Sequence, residues 1–220
     1  EYQSDWRHTL AAGGGVMMDM IHLMYLVEWI MGAPAQQVMA FVDAPVYQQR
    51  APQIEDTGLF QMAFPTGYAQ VNLGWGEGAG GAQVSGATGQ IHMRYRKHQT
   101  AGFNQPVELY TVKDWERDDH PIQNAENHDS HIGGSFTRLW EDFLQACEDG
   151  REPIASAKAG YRALQLTLAG YLSGATGRTI QLPLPADHPV YQQGIAGMKD
   201  VDIWEHSRTT KAGIFGLRGD

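Results

Sequence analysis

An apolar segment near the start of the chain contains two side chains that could transfer protons. Residues 16–31 are mostly Met, Leu, Ile and Val, yet Asp19 and His22 interrupt them three positions apart and share one face of the predicted helix. We expect both near or inside the core, where a carboxylate needs a partner. Either they form a structural ion pair, or they act as an acid–base or hydroxyl-binding pair. Tyr25, three residues further on, would line the same face.

Two other segments contain chemically active residue types without a matching motif. Four possible metal ligands fall within 12 positions: His120, His128, Asp129 and His131. Their spacing matches no zinc signature, so we assign no metal, and a metal-dependent lyase or hydrolase remains a third alternative. The glycine-rich stretch 76–81 lies between predicted strands, whereas a dinucleotide-binding turn leaves a strand and enters a helix. We therefore assign no cofactor-binding residue.

The periodicity predicts the scaffold that must position these side chains. Helices are expected at 16–31, 135–148 and 156–173, and strands at 37–43, 56–64, 67–75, 90–95, 107–112 and 177–182. A turn at 65–67 predicts a hairpin, and at least five strands are assigned to the same sheet. Because strands cluster rather than alternate with helices, we predict an α+β fold, an open and mainly antiparallel sheet with helices packed on one face. Residues 1–220 are expected to form a single domain, with a core of about 6–185 and a tail over 186–220.

Composition argues against several classes of partner. Lys and Arg number 16 against 25 Asp and Glu, a net charge of −9, whereas nucleic acids and anionic membranes require a basic surface. The longest apolar stretch, 16–31, includes charged side chains and is too short and too polar to span a bilayer. Cys147 is the single cysteine in the sequence, which favours the cytoplasm.

Several short strings occur in the order typical of one enzyme domain. Trp-Arg at 6–7 precedes Gly-Gly-Gly-Val-Met-Met-Asp-Met-Ile-His at 13–22 and Glu-Asp-Thr at 55–57. Further strings follow at 86–89, 143–153 and 177–183. Over residues 6–185 the chain resembles the C-terminal domain of the Gfo/Idh/MocA oxidoreductases, the family of glucose-fructose oxidoreductase and inositol dehydrogenase.

The resemblance implies a two-domain enzyme. In the family, an N-terminal Rossmann domain binds NAD or NADP and carries the catalytic lysine, while the C-terminal domain supplies an open sheet, part of the substrate pocket and an oligomer interface. The present chain would be the substrate-side half of a dehydrogenase or reductase acting on a sugar, inositol or similar polyhydroxylated ring. The dinucleotide-binding domain is absent from these residues, so hydride transfer by this chain alone is not expected.

The resemblance also implies roles for residues near the glycine string. Family members commonly place an Asp, a His four residues later and a second Asp three residues after that, facing the nicotinamide and the substrate hydroxyl. In this chain His22 follows Asp19 by three residues, and with His22 aligned Tyr25 takes the second carboxylate position. We assign His22 and Asp19 as catalytic, with His22 orienting or protonating the substrate oxygen and Asp19 supporting it. The substrate-binding candidates are Tyr25, Trp6 and Arg7.

The strand face that bears Gln70 and Asn72 is the predicted homo-oligomer contact, with plain solvent exposure as the alternative.

A different class of function remains open. The chain could be a stand-alone ligand-binding or self-association module without hydride transfer, which a natural chain beginning near Glu1 would favour.

Overall fold

A computed structural model describes residues 14–43, 55–75, 81–94, 107–111, 117–120 and 133–200. They belong to two compact units, the first comprising 1–76 with 156–220 and the second 77–155. The described residues form helices and antiparallel sheets, and the strands are grouped together along the chain rather than alternating with helices. The predicted α+β fold class is therefore confirmed. The prediction of one domain over 1–220 stays a prediction.

Unit 1 contains a four-stranded antiparallel sheet with the spatial order β3-β2-β1-β8. Its strands are β1 (Gln37–Asp43), β2 (Thr57–Phe64), β3 (Gly67–Gly74) and β8 (Ile180–Gln181). The predicted hairpin is confirmed, because Phe64 pairs with Gly67 across the turn. Gly67 has a φ of 151°, a conformation that favours glycine.

Unit 1 also contains the helices α1 (Val16–Asp19), α2 (Ile21–Met31), α4 (Ala157–Thr176) and α5 (Pro189–Gln193), followed by a 3-10 helix over Gly194–Asp200. The helix predicted over 16–31 is interrupted at Met20, whose φ of −96° and ψ of 21° depart from helical geometry. Ser156 caps α4, since its hydroxyl oxygen accepts a hydrogen bond from the Ala159 amide at 3.2 Å.

The core of unit 1 lies between one face of this sheet and the helices α2 and α4. Side chains alternate along β3 as predicted, with Val71 and Leu73 buried and Gln70 and Asn72 exposed. The opposite face of the sheet, called the outer face here, is therefore partly open to solvent.

The Ser173 hydroxyl of α4 bonds to a backbone amide of β1 that has no partner in the short strand β8. Strand β8 pairs with β1 only at Gln37 and Val38. Further along β1, the Ala40 amide donates to the Ser173 hydroxyl oxygen at 2.8 Å, and that hydroxyl donates to the Arg178 carbonyl at 2.6 Å. The buried edge of β1 is thus completed by a helix side chain.

Unit 2 contains a second four-stranded antiparallel sheet with the order β4-β5-β6-β7, and the helix α3 (Gly133–Asp149). Its strands are β4 (Gly81–Gly86), β5 (Gly89–Arg94), β6 (Val107–Thr111) and β7 (Arg117–His120). The assignment of strands at 90–95 and 107–112 to the first sheet is therefore wrong. Each of these strands pairs with its neighbour in sequence, and hydrophobic period alone does not specify pairing across a long connection.

The string at 143–153 ends in a turn held by one carboxylate. Asp142 Oδ1 accepts from Arg151 Nη2 at 2.8 Å, and Asp142 Oδ2 accepts from the Ile154 amide at 2.7 Å. These bonds and the Arg151 guanidinium lower the pKa of Asp142. Gly150, with a φ of 65°, provides the left-handed residue that ends α3.

Candidate functional site

The side chain of Glu55 lies fully buried beneath the glycine loop that precedes α1. Its Oε1 accepts from the Gly15 amide at 3.0 Å, from the Met17 amide at 2.9 Å and from the Tyr171 hydroxyl at 2.7 Å. Its Oε2 also accepts from the Gly15 amide, at 3.1 Å. One carboxyl group therefore joins the start of β2, the start of α1 and the middle of α4.

Two glycines make this close approach possible. A Cβ on Gly15 would lie 2.1 Å from the Glu55 carbonyl oxygen, and a Cβ on Gly14 would lie 2.5 Å from the Tyr171 hydroxyl oxygen. Gly14 also has a φ of 149°, which L side chains rarely adopt. The glycine string thus has a packing role, because it brings the backbone against a buried carboxyl group.

Two features of its environment shift the pKa of Glu55 in opposite directions. Burial raises its pKa to about 7, whereas the hydrogen bonds from Tyr171, Met17 and Gly15 act to lower it. Burial also raises the pKa of Tyr171 well above its usual value, as does the adjacent Glu55. The donors favour the ionised carboxylate and the loss of water favours the neutral acid, so protonation of Glu55 is balanced near neutral pH.

The amides of the glycine loop do not fit a dinucleotide phosphate. A phosphate cradle needs backbone N–H groups directed at the ligand, but the Gly15 and Met17 amides already bond to the Glu55 side chain. The Val16 amide donates to the Glu55 carbonyl oxygen at 3.3 Å. These residues therefore provide no site for the pyrophosphate of NAD or NADP.

Asp19, at the end of α1, is exposed and lies beside Trp75. The Trp75 indole Nε1 donates to Asp19 Oδ2 at 3.3 Å. Trp75 follows β3 directly, and its indole packs partly buried against the core of unit 1. The sequence does not reveal the bond between Trp75 and Asp19, since 56 positions separate the two residues.

His22 and Tyr25 lie in the first two turns of α2, where His22 is exposed and Tyr25 is partly buried against the core. The expectation that Asp19 and His22 lie near or inside the core is wrong. The buried positions of α1 and α2 are Val16, Met17, Met24 and Glu28. Asp19 and His22 fall outside that buried stripe, so both face solvent in this chain.

Another buried carboxylate, that of Glu28, connects α2 to α4. Its Oε2 accepts from Arg162 Nε at 3.0 Å, and its Oε1 accepts from the Ala35 amide at 3.1 Å. Glu28 thus has a cationic partner in Arg162. It ties the end of α2 to the first turns of α4.

The remaining candidates lie mostly outside the described residues. That is the case for Trp6, Arg7, His128, Asp129 and His131, while His120 is the last residue of β7. Within the described residues, no group of three His, Cys, Asp or Glu side chains could hold a metal ion. None of the helices in these same residues is both long and apolar enough to cross a bilayer.

The fold and a family model together define the class of this protein, which is an oxidoreductase domain. The model described as "Oxidoreductase family, C-terminal alpha/beta domain" matches residues 1–182. The chain therefore belongs to the Gfo/Idh/MocA family and corresponds to its C-terminal domain, which confirms the resemblance. No curated protein is similar enough to this chain to serve as a named relative.

Solved structures share the fold at low sequence identity. The chain is 23% identical to an aldose-aldose oxidoreductase from Caulobacter crescentus complexed with glycerol, with a TM-score of 0.66, covering 81% of this chain and 51% of that one. An oxidoreductase from Agrobacterium radiobacter, in complex with NAD+, L-tartaric acid and magnesium, is 17% identical with a TM-score of 0.61, covering 77% and 49%. The WlbA dehydrogenase from Bordetella pertussis, in complex with NADH and UDP-GlcNAcA, is 20% identical with a TM-score of 0.52, covering 78% and 47%. The chain thus spans about half the length of these structures.

Proposed function

We propose that this chain is the substrate side of an NAD(P)-dependent dehydrogenase or reductase that acts on a sugar, inositol or similar polyhydroxylated ring. The observation that carries the proposal is the exposed Asp19 carboxylate, held by the Trp75 indole three residues before the exposed His22. Hydride transfer itself belongs to the nicotinamide, which would be bound by a separate domain, because the loop amides of this chain are occupied by Glu55.

The side chains suit the proton half of such a reaction. When a ring hydroxyl is oxidised, its oxygen loses a proton as the carbon loses a hydride, and the reverse reaction returns that proton. An imidazole can accept and return it near neutral pH, so His22 is the proposed acid–base residue. Asp19, oriented by the indole N–H, supports His22 and accepts hydrogen bonds from substrate hydroxyls. Tyr25 is a proposed hydroxyl partner, together with Trp6 and Arg7.

The test uses the protein purified from its natural source, after its intact mass and N-terminal sequence are measured. Reduction of NAD+ and NADP+ is followed with glucose and myo-inositol as the first substrates. In recombinant protein of that natural length, His22→Ala is expected to lower kcat by about 10²–10⁴-fold, the usual contribution of a general acid–base residue, with the cofactor KM unchanged. The matched control is His92→Ala, which makes the same substitution at a histidine of β5 to which the proposal gives no role, and it is expected to leave kcat unchanged.

An active natural enzyme whose His22→Ala variant keeps its turnover would exclude the proposed role of His22. A natural chain that begins near Glu1 and transfers no hydride would instead favour the alternative, a stand-alone ligand-binding or self-association module.

The outer face of the unit 1 sheet supports a second proposal, that the protein forms a homo-oligomer there. Tyr68 is 87% exposed on this face and Phe41 is 41% exposed. A hollow of about 480 Å³ beside Tyr68 is lined by uncharged side chains that include Met39, Gln61 and Gln70. A partly apolar sheet face with an uncharged hollow suits contact with an identical face. We also propose a cytoplasmic location, on the single-cysteine composition alone.

A further inference from the structure

We propose that Glu55 is the positioning residue of the candidate site, and that its carboxyl group sets where the Asp19 carboxylate meets the Trp75 indole. The catalytic meaning of Asp19 rests on the proposed function. The positioning itself is a structural claim, and it has a structural readout.

Glu55 first fixes the Asp19 side of this contact. Its side chain and its carbonyl oxygen accept hydrogen bonds from the consecutive amides of Gly15, Val16 and Met17. The carbonyl oxygen of Gly15 then accepts from the Asp19 amide at 3.0 Å. The Gly15 amide bonds to the Glu55 carboxyl group, and the Gly15 carbonyl oxygen bonds to the Asp19 amide. Two hydrogen bonds thus connect the Glu55 carboxyl group to the Asp19 backbone.

The residue after Glu55 fixes the Trp75 side of the same contact. The Asp56 carbonyl oxygen accepts from the Trp75 amide at 2.9 Å, and the Asp56 amide donates to the Asp43 carbonyl at 3.2 Å. Both partners of the Asp19–Trp75 bond are therefore attached to adjacent residues at the start of β2. A shift of Glu55 relative to the glycine loop must change the distance between the two partners.

Tyr171 holds the Glu55 carboxyl group from the other side. Its hydroxyl is buried on α4 and donates to Glu55 Oε1 at 2.7 Å. The carboxyl group is thus clamped between α4 and the glycine loop. Glu28 provides the contrast, because its carboxylate is also buried but bonds to Arg162 and to the Ala35 amide.

The experiment records ¹H–¹⁵N spectra of the full 220-residue chain and follows the Trp75 indole N–H, identified by its loss in Trp75→Phe. Glu55→Gln keeps the size of the side chain but turns one acceptor oxygen into a donor that faces other donors. We expect the Trp75 indole signal to move and its hydrogen exchange to become about tenfold faster. Glu28→Gln is the matched control, and it is expected to leave this signal in place.

Tyr171→Phe keeps the proposal testable if Glu55→Gln does not fold. This variant retains the carboxyl group and removes one donor, so a smaller displacement of the same signal is expected. An unchanged Trp75 signal in a folded Glu55→Gln or Tyr171→Phe protein would overturn the proposal. Equal displacement in Glu28→Gln would also overturn it, because a general loss of stability would then explain the effect. None of these spectra depends on activity, so a His22→Ala enzyme that kept its turnover would contradict the proposed function and leave the positioning role intact.

Discussion

The Glu55 side chain both holds parts of the fold together and positions the candidate site, and its burial costs free energy. An ionised carboxylate loses its hydration when buried, and hydrogen bonds replace only part of the lost solvation. Glu55 has three donor groups, from Gly15, Met17 and Tyr171. Its pKa of about 7 nevertheless indicates that desolvation outweighs these bonds.

The first prediction concerns the pH dependence of stability. The pKa of Glu55 is raised in the folded state, from 4.5 to about 7, so between these values the folded chain binds more protons than the unfolded chain. The contribution of Glu55 to the free energy of unfolding is then fully present below about pH 4.5 and is lost as pH rises through about 7, by about 3 kcal/mol in total.

Urea unfolding of wild type and Glu55→Gln at pH 5 and pH 8 measures this effect. The wild-type chain is expected to lose more stability between the two pH values than the variant, because other titrating groups are common to both. Equal losses in the two proteins would contradict the raised pKa.

At the residue scale, the sequence singled out Asp19 and His22 as candidates but did not reveal the contacts of Glu55 with the glycine loop and Tyr171. Asp19 and His22 are conspicuous as polar residues in an apolar run, although the interruption at Met20 separates them into α1 and α2. Glu55 is part of a family string, yet its partners are 40 positions away at Gly15 and 116 positions away at Tyr171. A buried tyrosine on α4 signals that a partner must exist, and only tertiary structure identifies it.

At the scale of elements, the packing of α4 on β2 depends on one glycine. A Cβ on Gly170 would lie 2.2 Å from Phe60 Cε1, and Phe60 is fully buried. Phe60 has little room to move, since packed interiors have few voids. Gly170 thus allows the helix to lie directly against the aromatic ring.

A pair of substitutions within α4 tests this packing. Gly170→Ala is expected to destabilise the chain by about 1–3 kcal/mol, because the overlap with Phe60 exceeds the gain in helix propensity. Gly160→Ala, in the same helix with nothing within 4 Å of its Cβ, is expected to stabilise the chain by about 0.5–1 kcal/mol. Thermal or urea unfolding of both variants gives the comparison, and stabilisation by Gly170→Ala would contradict the close contact.

Elements that form through contacts between residues close in sequence were predicted more accurately than elements that depend on distant contacts. The strand predicted at 37–43 has the bounds observed for β1, and the hairpin of β2 and β3 was predicted from its turn. The interruption at Met20 was not predicted, because the apolar run is continuous there. The second sheet was also not predicted, because the hydrophobic pattern marks individual strands but does not specify which sheet they join.

For the whole molecule, the outer face of unit 1 offers a test of self-association. Gln61 lies at its centre, paired with Met39 on one side and Gln70 on the other. Gln61→Lys would bring like charges together wherever two outer faces meet, so we expect a shift to smaller species in sedimentation velocity. Stability is expected to change by no more than about 0.5 kcal/mol, because Gln61 is exposed.

Gln83→Lys is the control for that experiment, since it makes the same substitution at an exposed position of β4 in unit 2. It is expected to leave the sedimentation unchanged. A wild-type chain that sediments as a monomer at every concentration would contradict self-association through the outer face.

The family was accessible from sequence because several short strings follow one another in a fixed order, although none is specific alone. The glycine string and Glu-Asp-Thr at 55–57 prove to be two sides of one contact. The substrate was not accessible in the same way, because this chain spans only about half the length of the oxidoreductases whose fold it shares.

The close approach of Gly15 to Glu55 also restricts how this domain can evolve. A Cβ at position 15 would lie 2.1 Å from the Glu55 carbonyl oxygen, a backbone atom that every residue type has, so glycine is required at position 15 whatever side chain follows at position 55. In chimeras between family members, a crossover placed between residues 17 and 55 would combine the loop of one parent with the carboxyl group of the other. Functional recombinants should therefore keep glycine at position 15, whichever parent supplies the segment that contains residue 55.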